Sequence, residues 1–240
     1  MACDALIVSD FHLGSKRKAR PRLVRAFFDA LRCGELPHRP KKIILNGDVL
    51  DDLDFRKWPK SHWEALSAIR SAARVFPTEW VIGNHDGSPQ AVEALCGSDI
   101  NLEEVSAIFQ TGDKTVVAMH GHDKHVFGNK AIAHKQGITH AATMKALCDQ
   151  WVYKRSRVME AVRIARAAVF HAQDHGRQGV VCGHTHGAFS GVLDGIHYAN
   201  SGSWTSGYPA TYVVATQGRL ELHAFAPQRN CDNDPTRRDG

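Results

Sequence analysis

The chain has 240 residues, 43% hydrophobic and 23% charged, the composition of a folded globular protein with the length for one compact domain. No apolar run approaches the roughly 20 residues that span a bilayer, and the opening MACDALIVSD lacks the basic start and long apolar stretch of a secretory signal, so a cytoplasmic location is expected. The six cysteines show no paired spacing, which excludes a disulfide framework in favour of reduced thiols, and the formal net charge of +5 is modest.

Along the chain, short apolar runs repeatedly end in polar motifs. Ala5-Leu6-Ile7-Val8 leads into Ser9-Asp10-Phe11-His12. Lys16, Arg17, Lys18, Arg20 and Arg22 follow, a basic run suited to phosphates or anionic headgroups and equally to a solvated surface. Residues 21–33 read as a helix. Lys42-Ile43-Ile44-Leu45 then leads into Asn46-Gly47-Asp48, and a second helix is expected over 61–75. Trp80-Val81-Ile82 precedes Gly83-Asn84-His85-Asp86, and Thr115–Met119 precedes His120-Gly121-His122. Such runs, bounded by turn residues, mark strands buried on both faces. Their alternation with helices predicts an α/β fold, in which ligands bind beyond the carboxyl ends of the strands.

The stretch from about 124 to 176 breaks the rhythm and is read as a helical insertion. Within it, 155–172 has the period of an amphipathic helix: Val158, Ala161, Val162, Ala165 and Val169 share one arc, with Arg163 and Arg166 on the next. Gly179–Cys182 precedes Gly183-His184-Thr185-His186, and strand character returns at 195–199, 211–215 and 220–223, with a hairpin turn at 217–219. Residues 1–226 are therefore expected to form one domain, and the polar stretch 227–240 a disordered tail.

Fifteen histidines are unusual, and several stand in these motifs. Any one motif is weak evidence, because an isolated buried histidine is more often a satisfied core residue than a ligand. Together they supply what two metal ions about 3.5–4 Å apart require: a carboxylate able to bridge, with nitrogen and oxygen donors around it. Asp10 and His12 alternate near a strand end, Asp48 can bridge, Asn84 offers a neutral carbonyl oxygen, and His120, His184 and His186 offer imidazoles.

The set Asp10-x-His12, Gly47-Asp48-x-x-Asp51, Gly83-Asn84-His85-Asp86, His120-Gly121 and Gly183-His184-Thr185-His186 resembles the calcineurin-like metallophosphoesterase superfamily. The resemblance implies a four-layer α-β-β-α sandwich. It assigns a first divalent metal to Asp10, His12, Asp48 and His186, and a second to Asp48, Asn84, His120 and His184. Manganese leads iron and zinc as the expected metal. His85 matches the family histidine that protonates the leaving oxygen, and Asp86 is expected either to orient it or to be structural.

Within that superfamily the chain is similar to the UDP-2,3-diacylglucosamine pyrophosphatase-like group, through Ser9–Ser15, Trp58-Pro59…His62-Trp63, the insertion after His120, and Asp194-Gly195-Ile196…Asn200-Ser201-Gly202-Ser203-Trp204. That likeness implies a nucleotide-sugar lipid or related phosphorylated substrate. Peripheral contact with the inner membrane would follow, with Arg17, Arg163 and Arg166 as candidate substrate-binding residues. Two positions depart from it. The lipid A pathway member carries arginine in place of His85, and His122 replaces the aspartate of the common His-Gly-Asp. A retained proton donor suits alkoxide leaving groups, which shifts weight toward a phosphodiesterase or phosphomonoesterase acting on nucleotides or other small phosphates. Nucleic acid is not expected as a partner, since no basic stripe is interleaved with aromatics. A non-catalytic interaction module would be marked by lost ligands, and all seven stand in the sequence. The motifs leave the oligomeric state open.

Overall fold

A computed structural model describes residues 1–128 and 155–227. Four strands, β1 (Ala2–Val8), β2 (Arg39–Asn46), β3 (Thr78–Val81) and β4 (Asn101–Glu103), pair in parallel. On the other side of β1 the sheet continues antiparallel through β10 (Thr211–Thr216) and β11 (Arg219–Ala224). Its order is β11-β10-β1-β2-β3-β4. A second sheet contains β5 (Ser106–Thr111), β6 (Lys114–Met119), β7 (Gly179–Cys182), β9 (Ile196–Asn200) and β8 (Phe189–Leu193), in that order. Its three central strands are parallel and its two edge strands antiparallel to their neighbours.

Three apolar clusters separate four layers. Helices α1 (Pro21–Cys33) and α2 (Lys60–Ala73) cover the outer face of the first sheet, packing Val24, Phe27, Ala65 and Ile69 against Leu6, Val8, Ile43 and Leu45. A middle cluster lies between the sheets and includes Ala5, Ile7, Ile44, Val81, Ala118, Val181, Ala199 and Val213. Besides α3 (Pro89–Cys96) and α4 (Lys124–Phe127), a long helix, α5 (Arg155–Asp174), covers the second sheet, with Val162, Ile164, Ala165 and Val169 against Val180 and Cys182. Within β1, β2 and β7, successive side chains enter different clusters, as the two-residue period of a strand requires. This is why those strands read as unbroken apolar runs.

The fold is the expected α-β-β-α sandwich. The helix expected over 61–75 is α2 at 60–73, and the one expected over 155–172 is α5. The reading by apolar runs passed over β4, β5 and β8. β5, for example, buries Ala107, Phe109 and Thr111 while exposing Ile108 and Gln110, so no continuous run marks it. The described parts of the 124–176 stretch are α4 and α5; residues 129–154, like 228–240 of the expected tail, lie outside the described residues. Among the described residues no helix is long and apolar enough to cross a membrane. Cys3, Cys96 and Cys182 are buried and Cys33 exposed, all as free thiols.

Trp204 connects this packing to the polar end of the sheets. It is fully buried, edge-on to Phe11 and Phe27 at centroid distances of 5.4 and 4.8 Å. Its indole N–H donates to the carbonyl of Thr211 at 2.9 Å, and its backbone N–H to that of Asp10 at 3.1 Å. Trp204→Ala should therefore lower unfolding free energy by about 3–5 kcal/mol in urea denaturation, the cost of a large aromatic cavity. A loss near zero would show that Trp204 does not carry this packing.

Candidate metal centre

The candidate ligands all follow strand ends: Asp10 and His12 after β1, Asp48 after β2, Asn84 and His85 after β3, His120 after β6, and His184 and His186 after β7. Five of them adopt the left-handed backbone region, with φ of 58° at Asp10, 50° at His12, 52° at Asp48, 65° at His184 and 63° at His186. That region costs most L-residues about 1–2 kcal/mol and is tolerated best by Asn, Asp and His. Cross-loop hydrogen bonds hold the turns. Asp10 N–H donates to Gly47 and His12 N–H to Asp48, both at 3.0 Å, and Gly183 N–H donates to His120 at 3.0 Å. Glycine is required beside these turns. A Cβ on Gly47 would enter the His120 ring, and one on Gly183 would press on the Asp10 carboxylate.

The donors form three overlapping groups: Asp10, His12 and His186; Asp48, His120 and His184; and a third that joins His12 and Asp48 to His85. In the first, Nε2 of His186 lies 3.2 Å from Oδ1 of Asp10 and 3.1 Å from Nε2 of His12. In the second, Nε2 of His120 lies 3.2 Å from Oδ2 of Asp48, with His184 alongside. Oδ2 of Asp48 is also 3.8 Å from Nε2 of His12, so this carboxylate stands between the clusters. Asn84 is exposed and sits between two residues that touch Asp48. Gly83 packs against the Asp48 backbone, and the His85 N–H donates to its Oδ1 at 2.9 Å.

The residues fit a pair of metal ions. Oδ1 of Asp10 and Nε2 of His120 are buried and make no hydrogen bond, each having only an ion-pair contact at 3.2 Å with His186 and Asp48 respectively, which is costly unless another group satisfies them. Their companions are already committed. Oδ2 of Asp10 accepts from the Ser9 hydroxyl and from the His184 N–H. Nδ1 of His120 donates to the carbonyl of Asn46 at 2.8 Å, which directs the lone pair of Nε2 into the cluster. Donor separations of 3.1–3.2 Å are those of neighbouring ligands on one ion with bonds of roughly 2.0–2.2 Å. Burial alone would raise the carboxyls of Asp10 and Asp48, but the surrounding imidazoles hold both below the usual range. Burial opposes a charge on His120, yet the carboxylate of Asp48 raises it to about 9, while burial and the neighbouring His120 lower His184 to about 4. The mixed nitrogen and oxygen set is compatible with manganese, iron or zinc.

His85 is 42% exposed, and its Nδ1 lies 3.0 Å from Oδ1 of Asp51. The same oxygen is 3.0 Å from Nδ1 of His12, so one carboxylate steadies both rings. Asp86, expected either to orient His85 or to be structural, turns away. It is fully buried, and its oxygens accept from the backbone N–H groups of Asp48, Leu50 and Gly83 and from the indole of Trp80. Burial pushes it up to about 6 against the pull of those donors. Asp86 therefore shapes the loops, and its expected place beside the His85 ring belongs to Asp51.

The arginines divide. Arg17 is exposed, as are Lys16 and Lys18. Arg20 of the same run is structural, donating to the carbonyls of Trp204 and Tyr208. Arg163 donates to the carbonyl of Phe127, joining α5 to α4, and Arg166 is half-buried with partners of its own. The motifs alone did not reveal Asn46, whose side-chain N–H groups donate to Met119 and Val181, or Asn200, which holds the Gly183–Thr185 turn. Each had one available signal, an asparagine placed at the end of an apolar strand.

Residues 4–218 match the family model of the calcineurin-like phosphoesterase superfamily domain. No curated protein matches the chain in sequence. Among solved structures, an archaeal phosphodiesterase is similar at a TM-score of 0.53 and 12% identity, covering 92% of this chain and 99% of its own. The Escherichia coli phosphoesterase YfcE gives 0.52 and 16%, with 93% of each chain covered. A hypothetical protein of Pyrococcus horikoshii OT3 gives 0.54 and 10%, covering 95% of this chain and 90% of that one. At these identities the structural likeness concerns the fold.

Replacing Asp86 with alanine would strand three buried backbone N–H groups and one indole N–H. An unfolding free energy lower by about 3–5 kcal/mol is expected in the metal-free protein, with lower metal content after reconstitution. Unchanged stability would contradict the loop-holding role.

Proposed function

Because the chain belongs to the calcineurin-like phosphoesterase superfamily, we propose that it is a dinuclear-metal hydrolase of phosphate esters. The observation that carries this reading is the convergence of Asp10, His12 and His186 in one donor group and Asp48, His120 and His184 in another, with Oδ1 of Asp10 and Nε2 of His120 buried without a hydrogen bond. Asp10, His12, Asp48 and His186 would hold one divalent ion, and Asp48, Asn84, His120 and His184 the other, with manganese the leading choice. Bound there, the ions would supply a more acidic water and relieve negative charge on the phosphoryl oxygens.

The chain's own groups do the rest. Asp51 fixes Nδ1 of His85, leaving Nε2 to carry a proton toward a leaving oxygen. The same carboxylate fixes Nδ1 of His12, so that Nε2 of that ring serves the metal cluster. A retained donor at His85 favours esters whose leaving groups are poor alkoxides. We therefore place phosphomonoesters or phosphodiesters of nucleotides and other small phosphorylated compounds first. A nucleotide-sugar lipid of the UDP-diacylglucosamine type is the second reading. It is supported by an apolar rim next to the Asp51 loop, where Leu53 and Trp63 are 39% and 40% exposed beside Phe55 and Trp58. Exposed Lys16, Arg17 and Lys18 would meet phosphate or an anionic headgroup in either reading. A screen of phosphomonoesters, diesters, nucleoside diphosphate sugars and their acylated forms separates the two.

Asp48→Asn should abolish hydrolysis of aryl phosphates and reduce bound metal, as read by elemental analysis; near-normal turnover with full metal would overturn the dinuclear reading. His85→Ala should lower turnover of alkyl phosphates by about 10²–10⁴-fold and of nitrophenyl phosphates far less. Equal losses across the leaving-group series would remove the proton-donor role.

A further inference from the structure

The turn before β10 reaches the first donor group from the side away from His85. In the first sheet β10 and β2 flank β1, and β3, which leads to His85, lies beyond β2. β10 runs antiparallel to β1 and pairs Val213 with Ile7, so it begins level with the end of β1. The residues just before β10 therefore come to the polar end that holds Asp10 and His12. Tyr208 is one of them. The rings of His85, His12, His186 and Tyr208 touch in succession, each edge-on to the next, at centroid distances of 5.0, 5.1 and 5.4 Å. The proton donor stands at one end of this series and a half-buried phenol at the other.

Hydrogen bonds lock that turn to the basic loop. The Tyr208 N–H donates to the carbonyl of Thr205 at 3.3 Å, across Gly207 with a φ of 91°, as a type II turn requires. Ser206 donates through its N–H to the carbonyl of Lys18 at 2.7 Å and through its hydroxyl to that of Arg17 at 3.3 Å. Arg20 donates to the carbonyls of Trp204 and Tyr208 at 2.9 and 2.8 Å. Lys16, Arg17 and Lys18 are exposed, and none forms an ion pair among the described residues. An aromatic ring and three cations are thus held together at one edge of the metal centre.

We propose that Tyr208 and the Lys16–Lys18 loop form a subsite for the arm of a phosphodiester that stays on the phosphorus. That arm carries an aromatic base and a further phosphate, as a nucleotide does. The subsite rests on the phosphoesterase reading above and narrows its substrate class. A leaving oxygen must reach His85, so a group beside Tyr208 is the other substituent. A monoester has no such substituent, whereas a diester does. The open part of the phenol gives a base a stacking surface, and the neighbouring cations attract the phosphate.

Three substrates that share one leaving group and differ in the retained arm test this: nitrophenyl phosphate, the nitrophenyl ester of thymidylate, and the same ester with a second phosphate on its sugar. On the manganese-loaded full chain, kcat/KM should rise along this series. Tyr208→Ala should lower the preference for the thymidylate ester over the monoester by about 10–100-fold, mostly through KM. Tyr208→Phe should keep that preference, and elemental analysis should find wild-type metal in both variants. Lys16→Ser/Lys18→Ser should remove the gain from the second phosphate. A wild type that prefers the monoester, or equal losses on monoester and diester in Tyr208→Ala, overturns the subsite and leaves the phosphoesterase reading standing. Metal lost from Tyr208→Ala also overturns it, in favour of a ring that seats His186. A second phosphate without effect in the wild type overturns the part given to the basic loop. A metal-loaded wild type that hydrolyses none of the three overturns the phosphoesterase reading itself.

Discussion

Asp10, His12 and Asp48 stand on one sheet, and His120, His184 and His186 on the other, so the distances among them depend on how the sheets meet. The layer between the sheets includes five alanines, Ala5, Ala107, Ala118, Ala199 and Ala215, among larger apolar side chains such as Ile7, Ile44 and Phe109. Small side chains allow close approach. At the polar end of this layer Asn46, the last residue of β2, sends its amide to Met119 on β6 and Val181 on β7, and its carbonyl accepts from His120. One buried residue thus sets the gap between the sheets and the orientation of a ligand ring. An apolar residue there would take the amide away from two strand-end carbonyls, at a desolvation cost of about 1–3 kcal/mol each, while the backbone carbonyl would still accept from His120.

Carboxylates near the site divide by what surrounds them. Asp86 and Asp51 both flank the ligand motifs in sequence, and only Asp86 was expected to steady a ring. Asp86 is next to His85, yet the tight turn points the two side chains apart, and the buried carboxylate collects the N–H groups of loops after β2 and β3. Asp51 is farther along the chain, but its N–H donates to the carbonyl of Leu13, which carries the loop after β2 alongside the loop after β1. That pairing delivers its side chain to both His12 and His85. Adjacency in sequence was the wrong guide because side-chain direction in a turn depends on backbone angles that composition does not express.

The same limit decides how much of the molecule was legible. Strands buried on both faces declare themselves, since every position is apolar, and β1, β2, β6 and β7 were placed from their residues alone. The motifs behind them were legible because Asp, His and Asn recur at successive strand ends, a narrow choice of residue types. Edge strands such as β5 and β8 pack one face and expose the other, so a search for continuous apolar runs passes over them. Asn46 was illegible for a related reason. Asparagine is a common surface residue, and only the partners brought to it by the fold distinguish this one.

The unusual backbone of the site follows from its electrostatics. Two carboxylates and several imidazoles are packed into space almost closed to water, with Asp10 at 0% and Asp48 at 2% exposure. Left to ordinary rotamers and extended backbone, these groups would turn toward solvent, where charge costs least. Left-handed turns at Asp10, His12, Asp48, His184 and His186 prevent this by aiming the side chains inward, and cross-loop hydrogen bonds hold the turns. Without an ion, relief comes from protons: although burial disfavours its charged form, His120 is held protonatable up to about 9 by Asp48. The proton and a metal ion would therefore compete for one position, the lone pair of Nε2 beside Oδ2 of Asp48, so that loading the site releases a proton. The strain in the turns is what keeps that position open to a cation of either kind.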